Sequence, residues 1–137
     1  MTGTAAADPS TAGIRPVILA VDDEEAIRRI AAQNLRRMGF DVIEASNADE
    51  ALRVITDPAC RIDLLFTDMR MPGTLSGAAL ADMAVRHQPT MRVLLTSGNI
   101  GSVADGTANR FPVLDKPYRR ADLAAAVTSA LAAAPPA

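Results

Sequence analysis

Short apolar runs that end in acid, hydroxyl or amine alternate along this chain with stretches whose apolar residues recur every three or four positions. The runs are 15–22 (RPVILAVD), 63–68 (DLLFTD) and 92–97 (RVLLTS), with a more alternating segment at 40–46 (FDVIEAS) and a last short one at 112–116 (PVLDK). A continuous apolar run of this length is the mark of a strand buried on both faces, whereas alternation marks a strand covered on one. Between the runs lie predicted helices. From Glu24 onward Ile27, Ile30, Ala31, Asn34, Leu35 and Met38 fall at helical spacing until Gly39 stops them. Asn47 caps a helix running to Ile55, with Glu50 completing a box-like start. Residues 77–87 form a helix with Leu80, Met83 and Ala84 inward, ended by Pro89. The closing helix, 121–131, turns Leu123, Val127, Ala130 and Leu131 inward. Strands and helices in alternation imply an α/β fold: a doubly wound, five-stranded parallel sheet with helices on both faces. Segment 98–110 (GNIGSVADGTANR) stands where a fourth helix belongs. Three glycines and little apolar content predict that this helix is short or frayed, over about 102–108.

The chemistry-bearing residues fall at one place in this pattern. Asp22 and Asp23 follow the first strand, Asp68 the third; Thr96 ends the fourth and Lys116 the fifth. Ligands of doubly wound sheets bind beyond the carboxyl ends of the strands, and neighbouring strands lie only about 4.8 Å apart, so these groups should converge. Three crowded carboxylates repel one another unless a cation intervenes. Oxygen ligands completed by water suit Mg²⁺ rather than zinc. A metal and a lysine flanking one carboxylate would clamp the oxygens of a phosphoryl group on a carboxylate nucleophile, and the Thr96 hydroxyl could donate to one of them. Each residue also has a plainer reading. An Asp pair after a strand can cap a helix, an Asp before Met-Pro-Gly can serve a turn, and Lys-Pro is ordinary in loops. Their joint position at one sheet edge favours a single site.

Composition narrows the alternatives. With 14 basic against 16 acidic residues in 137, the chain has no basic field for nucleic acid or an acidic membrane. No apolar stretch nears the roughly 20 residues of a membrane span, so no insertion is expected. Cys60 is the sole cysteine, which rules out an intramolecular disulfide, fits a cytoplasmic location and suggests an inert thiol. His87 sits near a helix end, where a dipole contact is the simplest role. No phosphate-binding glycine loop is present, so ATP is not the expected donor. One folded unit is expected over 14–133, between a disordered N-terminal tail (1–13) and a loose C-terminal tail (134–137), with output passing through a partner.

Val-Asp-Asp-Glu at 21–24, Thr-Asp-Met-Arg-Met-Pro-Gly at 67–73, Leu-Thr-Ser-Gly at 95–98 and Asp-Lys-Pro-Tyr at 115–118, in this order, resemble the receiver domain of two-component response regulators. The similarity extends over about 14–133 and is nearest in character to receivers of hybrid sensor kinases and their stand-alone relatives. It implies a flavodoxin-like sheet of order 2-1-3-4-5. It further implies that Asp68 is the phospho-acceptor, and that Asp22, Asp23 and the Arg70 carbonyl join it around Mg²⁺. Thr96 would be the switch hydroxyl, Ser97 the small residue that leaves the site open, and Lys116 the phosphate-pairing lysine, with a cis bond to Pro117. The implied partners are a histidine kinase or histidine phosphotransfer protein and a downstream protein.

Two departures stand out. Val113 occupies the position, three before the lysine, where the family usually has an aromatic ring that moves with the threonine. Ordering of 98–110 is the alternative route for switching. Gly77 lies nine positions after Asp68, one more than the commonest spacing, which reads as a tolerated loop insertion. Two rival functions remain. A phosphatase with an aspartyl intermediate commonly has a second acid two positions after the nucleophile, where this chain has Arg70. A binding-only module would have lost an acid or the lysine, and none is missing.

Overall fold

A computed structural model describes residues 15–70, 76–98 and 111–133. In chain order it gives β1 (Val17–Val21), α1 (Glu25–Arg37), β2 (Asp41–Ala45), α2 (Ala48–Ile55), β3 (Leu64–Asp68), α3 (Gly77–His87), β4 (Arg92–Ser97), β5 (Val113–Asp115) and α4 (Arg120–Ala132). The five expected strands and the four expected helices over 24–38, 48–55, 77–87 and 121–131 are present, with ends within two residues of expectation. The fold is flavodoxin-like, with five parallel strands in the order β2-β1-β3-β4-β5. The expected short helix within 98–110 and the two tails lie outside the described residues.

Side chains alternate along the inner strands and build two cores. Leu19, Val21, Leu65, Val93 and Leu95 face one way and meet Ala48, Ala51 and Ile55 of α2 and Leu80, Ala81, Ala84 and Val85 of α3. Ile18, Ala20, Leu64, Phe66 and Leu94 face the other way and meet Ala31 and Leu35 of α1 and Leu123, Val127 and Ala130 of α4. Each fully buried leucine or isoleucine contributes on the order of 1.5–3 kcal/mol. An exposed helix pair such as Arg29–Glu25 or Arg86–Asp82 is worth only about 0.3–0.5 kcal/mol, so the two cores dominate stability.

Local chemistry sets the helix ends. The Asn47 side chain accepts from the Glu50 N–H at 2.8 Å, while the Glu50 carboxylate reaches one residue further back to the Ser46 N–H and hydroxyl, both at 2.8 Å. Gly39 follows α1 with φ of +102°, a backbone that side-chain-bearing residues rarely adopt. The loop from α2 to β3 is pinned by one side chain. Gln88 accepts from the Ile62 N–H at 3.0 Å and donates to the Ile55 and Cys60 carbonyls at 2.9 and 3.1 Å.

Helix α1 differs from its apolar pattern. Its buried residues are Ala31, Ala32 and Leu35, and Ile30 is 60% exposed. Arg28, at the same helical register as Ala31, Ala32 and Leu35, is turned inward instead, for reasons that lie in the site.

At the start of α3, Gly77 donates its N–H to the Met69 carbonyl at 2.9 Å. A Cβ at this position would overlap the backbone carbonyl of Asp68 and the Cα of Met69. Gly77 is therefore required by close approach: α3 begins directly against the main chain that carries Asp68. Overpacking at this contact should cost about 1–3 kcal/mol, so Gly77→Ala is expected to lower the urea midpoint without a change in m-value.

Candidate functional site

The alternation that fills the α1/α4 core also builds the site. Continuing the same face one step past the core, Ile18 and Ala20 lead to Asp22, Leu64 and Phe66 to Asp68, Leu94 to Thr96, and Leu114 to Lys116. Register brings these steps level, with Asp68 opposite Thr96 and Ser97 opposite Asp115. Asp22, Asp68, Thr96 and Lys116 are thus the polar end of a column that is apolar below.

The Lys116 ammonium bridges two carboxylates, donating to Asp68 Oδ2 at 3.1 Å and Asp22 Oδ2 at 3.2 Å. Burial alone would pull its pKa down, but the hydrogen bonds and charges of Asp68 and Asp22 outweigh burial and hold it above the ordinary lysine value. Asp22 Oδ1 accepts from the Glu24 N–H at 3.0 Å and Asp68 Oδ1 from the Arg70 N–H at 3.2 Å. Asp23 is exposed at the rim, yet oxygens of Asp22, Asp23 and Asp68 lie within 4.8 Å of one another, close enough to share one metal ion. An all-carboxylate donor set with one exposed member suits a hard cation that keeps some of its water, which is the behaviour of Mg²⁺.

Of the other residues singled out from the sequence, Thr96, Ser97 and Pro117 flank this cluster, whereas Val113 and Cys60 pack with the α2/α3 core. Thr96 is 3% exposed, and its carbonyl accepts from the Met69 N–H at 2.8 Å. Ser97 is buried beside it and its carbonyl accepts from the Lys116 N–H at 2.8 Å. The Lys116–Pro117 bond is cis. Val113 is directed away from Lys116 and packs with the α2/α3 core. Cys60 is half-buried, and burial pushes its thiol pKa up, which keeps it protonated.

Two contributors escaped the sequence reading. Tyr118 meets Phe66 edge to face with centroids 6.3 Å apart, and burial is the main cause of its raised pKa. With Asp22, Asp68, Thr96 and Arg28 it lines a cavity of about 10 Å³, room for one water. Arg28 donates from Nη1 to the Asp22 carbonyl at 3.0 Å and from Nε to Glu44 Oε1 at 3.2 Å. Its signal in the sequence is a charged residue at the inward register of a helix. On the outer side of Tyr118 a cleft of about 490 Å³ is lined by Ile27, Ile30, Gly98, Lys116, Pro117 and Tyr118.

The response regulator receiver domain family model matches residues 18–128. The chain belongs to this family. The DNA-binding transcriptional regulator NtrC of Azospirillum brasilense is 32% identical over 117 residues, which cover 83% of this chain and 24% of that protein. Among solved structures, the receiver domain of the hybrid histidine kinase CckA is 36% identical with a TM-score of 0.71, covering 84% of this chain and 98% of that one. The Thermotoga maritima response regulator TrrA, solved in complex with Mg²⁺ and BeF, is 25% identical with a TM-score of 0.75, covering 83% and 97%. The chain spans about a quarter or less of the first curated relatives it matches. Receiver domains are in general signalling switches rather than enzymes, and the phosphoryl-accepting role of the family fits the carboxylate and lysine geometry. No described helix is long and apolar enough to cross a membrane.

The raised pKa of Lys116 fixes a sign. A cation held above its unfolded value, about 10.4 for lysine, stabilises the fold fully below that value and loses the contribution as pH rises through the folded value. Metal-free wild type should therefore melt above Lys116→Met at neutral and mildly alkaline pH. The gap should close only above the ordinary lysine range, as read by circular dichroism melts in EDTA.

Proposed function

We propose that Asp68 accepts a phosphoryl group from a phosphohistidine on a histidine kinase or phosphotransfer protein, and that this changes what the domain binds. The observation that carries the reading is the Lys116 bridge between Asp68 and Asp22, with Asp23 completing the acidic cluster. Asp22, Asp23 and Asp68, joined by the Arg70 carbonyl, would hold Mg²⁺. When bound, the ion neutralises charge building on the transferred phosphoryl oxygens. Asp68 supplies the carboxylate nucleophile through the oxygen that now accepts from Lys116. Lys116 then exchanges that contact for one with a phosphoryl oxygen, staying protonated because two carboxylates hold its proton. Thr96, opposite Asp68 in register, turns its hydroxyl to the new group as a donor, and buried Ser97 leaves the opening clear. Slow hydrolysis of the acyl phosphate resets the domain, which therefore modifies only itself. Arg70, two positions after Asp68, offers no second acid for turnover of an outside phosphomonoester.

Val113 packs with the α2/α3 core, so it offers no ring to follow Thr96. The alternative route, ordering of 98–110, falls on a segment whose residues 99–110 lie outside the described residues. A switch from 1:99 to 99:1 needs roughly 5.5 kcal/mol of differential stabilisation, which new bonds from Thr96 and Lys116 to the phosphoryl group help to supply.

Beryllofluoride mimics the phosphoryl group and tests the site directly. Together with Mg²⁺ it should raise the melting temperature of wild type by several degrees, neither additive alone should match this, and Asp68→Asn should abolish it. A wild type indifferent to both additives, with no Mg²⁺ binding, would mean a binding-only module.

A donor protein that brings its phosphohistidine to Asp68 must cover the cleft beside Lys116, where Ile30 is 60% exposed. Apolar anchors at interface centres typically contribute about 1–2 kcal/mol or more. Ile30→Lys is therefore expected to slow transfer from a phosphorylated kinase or phosphotransfer protein by about tenfold while leaving labelling by acetyl phosphate unchanged.

A further inference from the structure

Helix α1 carries an arginine at a register that otherwise faces the core. The Arg28 side chain is 14% exposed and stands in line with Ala31, Ala32 and Leu35. A guanidinium leaves water this far only where its N–H groups find partners. Here Nε meets Glu44 of β2 and Nη1 meets the main-chain carbonyl of Asp22. Glu44 is itself anchored from a second side, because Arg36 reaches its other oxygen at 3.4 Å and the Val42 carbonyl at 3.1 Å.

That carbonyl is the last of four directed groups on Asp22. The N–H donates to the Ala45 carbonyl at 3.2 Å, Oδ1 accepts from Glu24 and Oδ2 from Lys116. The carbonyl of residue 22 shares a rigid peptide plane with the nitrogen of Asp23. Fixing its direction therefore fixes the Cα of Asp23 and leaves rotation about φ to set where its side chain points. Asp23, exposed at the rim, depends on this plane to stay within reach of Asp22 and Asp68.

We propose that Arg28, clamped by Glu44, is a positioning residue for the Mg²⁺ site: it orients the Asp22–Asp23 peptide so that both carboxylates face Asp68. The proposal rests on the Mg²⁺ reading above. Arg28 acts through Asp22 and touches neither ion nor phosphoryl group.

Charge and geometry make opposite demands, and that separates them. Arg28 is a cation near a cation site, so if charge alone mattered its removal would tighten Mg²⁺ binding. If it positions the ligands, its removal loosens binding, and loss of such outer partners typically costs about 10–100-fold in metal affinity. The test is calorimetric titration of Mg²⁺ into the metal-free chain for wild type, Arg28→Gln, Arg28→Lys, Glu44→Gln and the double Gln variant. Arg28→Gln and Glu44→Gln should each bind about tenfold more weakly or worse. Arg28→Lys should not rescue, since it keeps the charge but loses the fork. The double variant should be no weaker than Arg28→Gln alone, because both changes remove one clamp. Unchanged or tighter binding in folded Arg28→Gln overturns the proposal. Should that variant fail to fold by circular dichroism, Arg28→Lys decides instead: it keeps the charge and loses the fork, so binding as tight as wild type overturns the proposal. A wild type that binds no Mg²⁺ sinks the metal reading and the proposal together, an outcome distinct from variants that match a binding wild type.

Discussion

Three carboxylates meet at one edge of this sheet, and their mutual repulsion is the constraint to which the surrounding structure answers. Carboxylates a few ångströms apart in a partly desolvated site repel strongly, and they persist there only with compensating cations and donors. Lys116 supplies the first cation, the Glu24 and Arg70 amides supply donors, and Arg28 holds the Asp22 main chain from behind. One ammonium cannot balance three carboxylates. The excess negative charge suits the cluster to a divalent cation.

The site is inseparable from the core beneath it. Asp22, Asp68, Thr96 and Lys116 are the next positions on the same face as Ala20, Phe66, Leu94 and Leu114, so packing of α1 and α4 fixes where they point. On the opposite face, the start of α3 presses against the Asp68 carbonyl through Gly77. The strand that ends in Asp68 is thereby held between both helical layers.

Much of this was legible in the chain. Strands buried on both faces leave continuous apolar runs, and parallel connection places their polar ends together, so Asp22, Asp23, Asp68, Thr96 and Lys116 could be gathered without coordinates. Helix α1 was harder, because hydrophobic recurrence placed Ile27 and Ile30 in the stripe. The structure turns Arg28 in and Ile30 out, since Glu44 and the Asp22 carbonyl satisfy the guanidinium in a way no periodicity encodes. Gly77 was read through its spacing from Asp68, but the missing Cβ, not the spacing, is what the fold requires. Tyr118 entered only as the last residue of the Asp-Lys-Pro-Tyr motif; its place between the inner cavity and the outer cleft is a three-dimensional fact.

The Lys116–Asp22 pair joins residues 94 positions apart. β5, the three-residue strand that leads to the lysine, pairs only with β4 at the margin of the sheet. A ribosome delivers the acids early and the ammonium late, so the residues of the first four strands are all made while the carboxylates still lack their lysine. A product broken off before β5 would own Asp68 and the acidic pair without the cation that steadies them. The acidic cluster is therefore steadied only once residue 116 has been made, because its lysine is the last of these side chains in the sequence.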